Sequence, residues 1–277
     1  MVFKLGSVGP RVRTLQQQLQ QRGFNPGQIS EQYTVETEAA VRLFQQNVGL
    51  DVDGIAGPNT IAALAMPAIT SNVTLAMVSQ MFPQTPRTNI RFHLPFVLKG
   101  LLVRQLADRA MVLMALGTIR AEAAVFQPID EQISDFNTPP GGAPFSKYDN
   151  RADLGNQGSP DGERFKGRGF VQLTGRANYR QIGQAIGLGS SLVNEPEMAN
   201  EPEIAAQILA AFLRSKEMLL RQALAANDLA KARELVNGGH HGLADFQDAF
   251  RIGQAVLPIV VRVQATVNAK PVPLSNG

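Results

Sequence analysis

The 277-residue chain contains no cysteine, which excludes disulfides, thiolate metal sites and a thiol nucleophile. That absence leaves the compartment open, because a chain of this length can bury a core without covalent staples. No apolar run approaches the roughly 18 residues of a membrane helix, so no membrane span is expected. The opening stretch, Met1-Val2-Phe3-Lys4-Leu5-Gly6-Ser7-Val8-Gly9-Pro10, lacks the apolar centre of a signal peptide. Synthesis in the cytoplasm and release by a route other than ordinary secretion are therefore expected. There is no Lys/Arg block and the net charge is only +3, too weak a positive field for a nucleic-acid partner. Within residues 1–66, Lys4, Arg11, Arg13, Arg22 and Arg42 are balanced by Glu31, Glu36, Glu38, Asp51 and Asp53, so the basic excess belongs to the rest of the chain. Neither an HExxH zinc helix nor a Gly-x-Ser-x-Gly nucleophile elbow occurs.

What is present is an ordinary globular composition, 44% hydrophobic and 18% charged, at a length that predicts two folding units. Residues 5–65 carry two helical stripes, Val12, Leu15 and Leu19, then Ala40, Leu43 and Phe44. Each helix runs into a glycine stop, Gly23-Phe24 and Gly49-Leu50. Pro58, after the turn Asp53-Gly54-Ile55-Ala56-Gly57, suits the first turn of a third short helix completed by Ile61 to Ala65. The succession Gly6, Val12, Leu15-Gln16, Leu19, Gly23, then Thr37, Ala40-Val41, Phe44-Gln45, Gly49-Leu50, Asp53-Gly54, Gly57 and Thr60 resembles the peptidoglycan-binding domain found beside many cell-wall hydrolases. The first half-repeat departs from that pattern: Ser30-Glu31-Gln32-Tyr33-Thr34 stands where the family carries an Asp-Gly turn.

Met66-Pro67-Ala68-Ile69-Thr70-Ser71-Asn72 reads as a break, dividing residues 1–68 from 69–277. Beyond it the pattern is mainly helical, over Leu101–Val125, Glu203–Leu220, Asp228–Val236 and Asp245–Val261. A long Gly/Pro/Asn/Asp-rich excursion, Phe136–Gly169, is the place to seek a cleft.

Glu122 closes a strongly apolar helical stretch through Met111, Leu113, Met114, Leu116 and Ile119. Desolvation at such a place would raise its pKa, as a proton donor to a glycosidic oxygen needs. Glycoside hydrolysis also requires a second carboxylate, acting as nucleophile or as the base for water. Asp130, Glu131, Asp135, Asp149 and Asp153 are the nearby candidates. The segment Gly167-Arg168-Gly169 lets backbone approach a ligand closely. Gln172 and Thr174, two apart on an expected extended stretch, would face one side and offer amide and hydroxyl groups to a sugar. As a dinucleotide fingerprint the segment fails, because Gln172 replaces the third glycine, so no cofactor is expected. The adjacent His240-His241 pair and the lone His93 do not have metal-ligand spacing, so no metal is expected either.

Arg120-Ala121-Glu122, Gly167-Arg168-Gly169-Phe170-Val171-Gln172-Leu173-Thr174, Asn178-Tyr179 and Val236-Asn237-Gly238-Gly239 are similar to the family 19 glycosidases, which include chitinases and bacterial or phage lysozymes. The resemblance spans roughly residues 75–255. It implies that Glu122 is the general acid, that Gln172, Thr174, Asn178 and Tyr179 line a sugar cleft, and that Asn237 contributes from a later loop. Plant-type members place the second acid further on, in a region that here reads Gly141-Gly142-Ala143-Pro144-Phe145-Ser146 and has no carboxylate. Lysozyme-like members carry it nine residues on, where Glu131 stands (131 − 122 = 9); Asp149 and Asp153 remain alternatives. Arg168 either pairs with a site carboxylate or anchors the loop.

The fold expected is mainly α: a small three-helix peptidoglycan-binding domain, then a larger α-helical lysozyme-like catalytic domain. The expected activity is cleavage of β-1,4 bonds in bacterial peptidoglycan by a monomeric endolysin-like enzyme, released through a phage holin or a comparable route. A chitinase and a non-catalytic wall-binding protein are the competing readings.

Overall fold

The computed structural model describes residues 2–48, 50–65, 69–239 and 241–265. Gly49, the Met66–Ala68 part of the expected break and His240 lie outside that set. The chain divides into two compact units, one within Met1–Ala68 and the other Ile69–Gln264. Both are built mainly of α-helices.

The first unit holds α1 (Pro10–Gln21), α2 (Val35–Val48) and α3 (Pro58–Ala65). Val12, Leu15 and Leu19 are buried as their spacing predicts, and with Val41, Phe44 and Leu64 they form the core. Leu43 does not join them; it is exposed. The buried face of α2 runs through Thr37, Ala40, Val41, Phe44 and Gln45 at i, i+3, i+4, i+7 and i+8, and at 3.6 residues per turn Leu43 points away from it.

Two buried glutamines explain how this small unit closes its loops. The Gln16 amide nitrogen donates to Gln32 O and Thr37 Oγ1, both at 2.9 Å, while its oxygen accepts from Ser30 N at 2.8 Å. Gln45 repeats the arrangement: its nitrogen donates to Asp53, Ile55 O and Thr60, and its oxygen accepts from Gly54 N at 2.9 Å. Each half thus uses one helical glutamine and one threonine to satisfy loop groups that would otherwise be buried without partners. The Ser30–Thr34 departure from the family pattern is accommodated, because Gln16 still finds a backbone donor and acceptor there.

The second unit runs through α4 (Leu75–Met81), α5 (Arg87–Val103), α6 (Arg109–Glu122), α7 (Asp161–Arg164), α8 (Arg176–Ala185), α9 (Ser191–Asn194), α10 (Pro202–Ser215), α11 (Glu217–Ala225), α12 (Leu229–Asn237) and α13 (Leu243–Val256). Every residue of α6 from Met111 to Ile119 is buried, so this helix is the axis of the unit. It approaches α13 closely at two glycines: a Cβ on Gly117 would lie 2.9 Å from the Phe246 ring, and one on Gly253 2.4 Å from Leu113 Cδ2. The start and end of the unit are pinned together by Asn72, which donates to Val260 O and accepts from Arg262 N.

Three expected helices are shorter or divided. Leu101–Val125 is interrupted where Gln105 turns left-handed (φ 58) and Asp108 caps a new helix by accepting from Ala110 N and Met111 N. Glu203–Leu220 breaks at Lys216, and Asp245–Val261 ends at Val256, two residues before Pro258, which cannot continue a helix. The Phe136–Gly169 excursion contains short 3-10 turns at Ser146–Tyr148 and Ala152–Leu154 as well as α7.

Candidate active site

Glu122 is the last residue of α6. Its Oε1 accepts from Arg233 Nη2 at 2.7 Å; the arginine side chain is fully buried and the glutamate is 12% exposed. Arg233 lies on the inner face of α12 with Leu229, Ala232 and Val236, and its Nε donates to His241 O at 2.8 Å. Asn237, exposed at the end of α12, reaches the same carbonyl at 3.3 Å. Gly242, left-handed at φ 69, sits against Ala121, so a Cβ there would come within 3.0 Å of the residue preceding Glu122. Gly242 is thereby fastened to the end of α6. Sequence reasoning did not identify Arg233 or His241.

Glu131 belongs to a second cluster. Two-residue strands, Ile129–Asp130 and Arg168–Gly169, pair antiparallel with Ile129 opposite Gly169 and Asp130 opposite Arg168. Beyond them Glu131 N donates to Gly167 O. The Glu131 carboxylate accepts three hydrogen bonds: Oε1 from Asn137 Nδ2 (2.9 Å) and Tyr148 Oη (2.8 Å), Oε2 from Gly167 N (2.9 Å). Burial and the hydrogen bond to Glu131 push the Tyr148 phenol up from its ordinary value. Gly167 is a close-approach glycine, because a Cβ would lie 2.9 Å from Gln172 Oε1 and 3.1 Å from Glu131 Oε2. An ionised carboxylate offers about four lone-pair directions, so one on Oε2 remains for a further donor.

The 167–174 segment corrects the expectation of an extended stretch. Arg168 and Leu173 exchange both backbone hydrogen bonds (3.2 and 2.9 Å) around a tight turn in which Gln172 is left-handed, φ 50. Its amide donates to Ile129 O (3.0 Å) and Gly169 O (3.2 Å), which leaves the side-chain oxygen as an oriented acceptor beside Gly167. Thr174 Oγ1 donates to Gln172 O at 2.9 Å, and Asn178, exposed at the start of α8, donates to Thr174 O at 2.7 Å. Gln172, Thr174, Asn178 and Glu131 are thus brought together on one hydrogen-bonded scaffold.

Tyr179 and Arg168 serve that scaffold from beneath. Tyr179 is fully buried and its hydroxyl donates to Lys166 O at 2.9 Å, so contact with a sugar is replaced by support of the loop. Arg168, 7% exposed, donates to Arg164 O (2.8 Å) and Tyr179 Oη (3.0 Å). Its Nε lies 3.2 Å from Asp130, a single contact and not a bidentate grip. Burial works against the charge on Asp130, but hydrogen bonds from Lys166 and Asn200 and the nearby cations hold its carboxyl below the usual range. Of the alternatives to Glu131, Asp149 is buried and accepts from Gly162 N, and Asp153 pairs with Arg151 at the surface.

The two clusters are joined through the segment after α6, where Phe126, left-handed at φ 52, packs edge-on against Phe82 (4.8 Å) and Phe170 (6.3 Å). His93 of α5 lies under the same aromatic group, 5.9 Å from Phe170, with Nδ1 3.0 Å from Asn89 O. Burial lowers its pKa, opposed by the backbone contacts to Asn89 and Phe126. An unfolded histidine takes up its proton near pH 6.5, whereas this one resists protonation in the fold. Stability is therefore complete above that pH and is lost as the pH falls through it toward the lower native pKa. Hydrogen-exchange protection of α5 should fall more steeply on acidification in the parent than in His93→Gln; parallel pH profiles would rule this out.

Comparison with known proteins adds the following. Residues 8–64 match a family model described as a putative peptidoglycan binding domain. A 43-residue stretch, 15% of this chain, is 49% identical to an acidic 26 kDa endochitinase of Solanum lycopersicum and corresponds to 17% of that protein. The chain thus spans about a sixth of the length of the curated relatives it matches. Among solved structures, a bacterial family 19 chitinase aligns at 19% identity over 67% of this chain and 95% of its own, with a TM-score of 0.48. A Burkholderia AP3 phage endolysin aligns at 19% identity over 92% of this chain and 100% of its own, with a TM-score of 0.24.

Proposed function

We propose that the chain is a peptidoglycan hydrolase, in which residues 1–68 bind the bacterial wall and residues 69–277 form a family 19-type glycosidase domain. The reaction is hydrolysis of the β-1,4 bond between N-acetylmuramic acid and N-acetylglucosamine. The observation that carries this reading is the pair of braced glutamates, Glu122 held by Arg233 and Glu131 held by three donors. In its protonated form Glu122 donates a proton to the leaving oxygen, and the carboxylate so formed is the one that pairs with Arg233; Glu131 uses the lone pair left on Oε2 to draw a proton from water. Water attacks the anomeric carbon as the glycosidic C–O bond breaks, in one displacement that inverts the anomer where the two carboxyl groups stand roughly 6.5–9.5 Å apart. Gln172 Oε1, Thr174, Asn178 and Asn237 offer acceptors and donors to the N-acetyl and hydroxyl groups of the glycan. Peptidoglycan is preferred over chitin because of the wall-binding match at residues 8–64; holding the enzyme on its polymer raises local substrate concentration without altering the chemistry.

A chitinase is the second reading, favoured by the 43-residue identity to an endochitinase. Incubation with purified sacculi and, separately, with chitin oligomers distinguishes the two by mass spectrometry of the products. New reducing N-acetylmuramic acid ends are expected. Chitin fragments alone would transfer the protein to the chitinases, and no cleavage of either polymer would leave a wall-binding protein.

A further inference from the structure

We propose that Phe136 is the platform on which a sugar ring of the glycan stacks beside Glu131, an assignment that rests on the glycosidase reading above. The chain has no tryptophan and only three tyrosines. All three tyrosine hydroxyls are already engaged within the protein, Tyr33 with Gly54 O, Tyr148 with Glu131 and Tyr179 with Lys166 O; Tyr33 and Tyr179 are buried and Tyr148 is half-buried. Phe136 is 88% exposed, so its ring contributes next to nothing to the core.

The exposure is imposed by the backbone. Asn137 N and Thr138 N both donate to Ser134 O (3.2 and 2.9 Å), Ser134 N donates to Asn137 Oδ1 (3.0 Å), and the Lys147 ammonium binds Asp135 O. The closed turn holds Phe136 outward. It also sets the ring next to the chemistry, because the following residue, Asn137, is the one whose amide touches Glu131 Oε1. Successive Cα atoms are about 3.8 Å apart, so Phe136 stands one residue along the chain from the side chain that holds Glu131.

A pyranose ring presents a face of weakly positive axial C–H groups, which complements the negative face of an aromatic ring. Ile133, 61% exposed, is a second apolar side chain on the same loop. The other occupants of an exposed phenylalanine fit less well. Glu131 and Asp135 beside it would be repelled by an anionic lipid surface, and one ring with one isoleucine is far smaller than a stable protein interface.

The test is hydrolysis and equilibrium binding of an N-acetylglucosamine tetramer and of soluble peptidoglycan strands by the full chain and three variants. Phe136→Ala should raise KM and weaken binding about tenfold, the factor supplied by one stacking contact. Its kcat should change less than about twofold and its melting temperature should hold, as expected for an exposed side chain. Phe136→Trp should restore affinity, whereas Phe136→Leu, apolar without a ring face, should not. Unchanged affinity in Phe136→Ala on an active parent, or full rescue by leucine, overturns the stacking assignment alone. A parent that cuts no glycan but binds one, with binding lost in Phe136→Ala, overturns the catalytic reading alone. A parent that neither cuts nor binds overturns both.

Discussion

Glu122→Gln should lower the rate of glycan cleavage by about 10²- to 10⁴-fold, the usual contribution of a positioned general acid, while binding to sacculi persists. The amide keeps the shape of the side chain and still offers Arg233 an oxygen, but it has no proton to give the leaving group. It also removes the negative charge from a fully buried guanidinium, so loss of activity alone could reflect a weakened fold. Glu122→Asp separates the effects: the charge remains and the carboxylate retracts by one methylene from the scissile bond. Both variants should be severely impaired, with Glu122→Asp closer to the parent in melting temperature. A Glu122→Gln protein that still releases fragments at the parental rate would remove Glu122 from the reaction. One that is inactive and also fails to pellet with sacculi would show that the substitution disturbed more than proton transfer.

What could be read from the sequence follows the range of the interactions. The α1 stripe, the first residue of α3 and the apolar run leading to Glu122 are local patterns, and they appear in the structure as spaced. Leu43 misled because three-residue spacing admits it to either side of α2, and only the packing of Val41 and Gln45 fixes which face turns inward. The 167–174 segment misled for a different reason: alternation of Gln172 and Thr174 looks extended, but the exchange between Arg168 and Leu173 folds it into a turn. Asn137 and Tyr148 were not legible as partners of Glu131, since a loop must close in space before they meet it. Arg233 left a trace that was overlooked. It occupies the i+4 place of the stripe Leu229, Ala232, Val236, and a charged residue inside an apolar stripe needs a buried partner.

That partner makes Arg233 the residue whose loss should most weaken the second unit. Removing one member of a buried ion pair typically costs about 3–5 kcal/mol, because the remaining charge stays desolvated without its counterpart. Here Arg233→Ala would strand Glu122 at 12% exposure and also leave the His241 carbonyl without its 2.8 Å donor. Arg233→Lys keeps the charge but cannot reach carboxylate and carbonyl at once with a planar fork, so it should recover only part of the loss. Because the chain has two units, a single unfolding midpoint would mix their transitions. Hydrogen exchange read separately on α6 and α12 is the suitable measurement: protection there should drop by the full amount while α1 and α2 of the first unit stay unchanged. The loss should persist in high salt, since a buried pair is screened far less than a surface one. If Arg233→Ala held protection in α6 within about 1 kcal/mol of the parent, or lost it only at low ionic strength, the pair would be a surface contact. Glu122 would then lack the rigid brace on which its proposed role as acid depends.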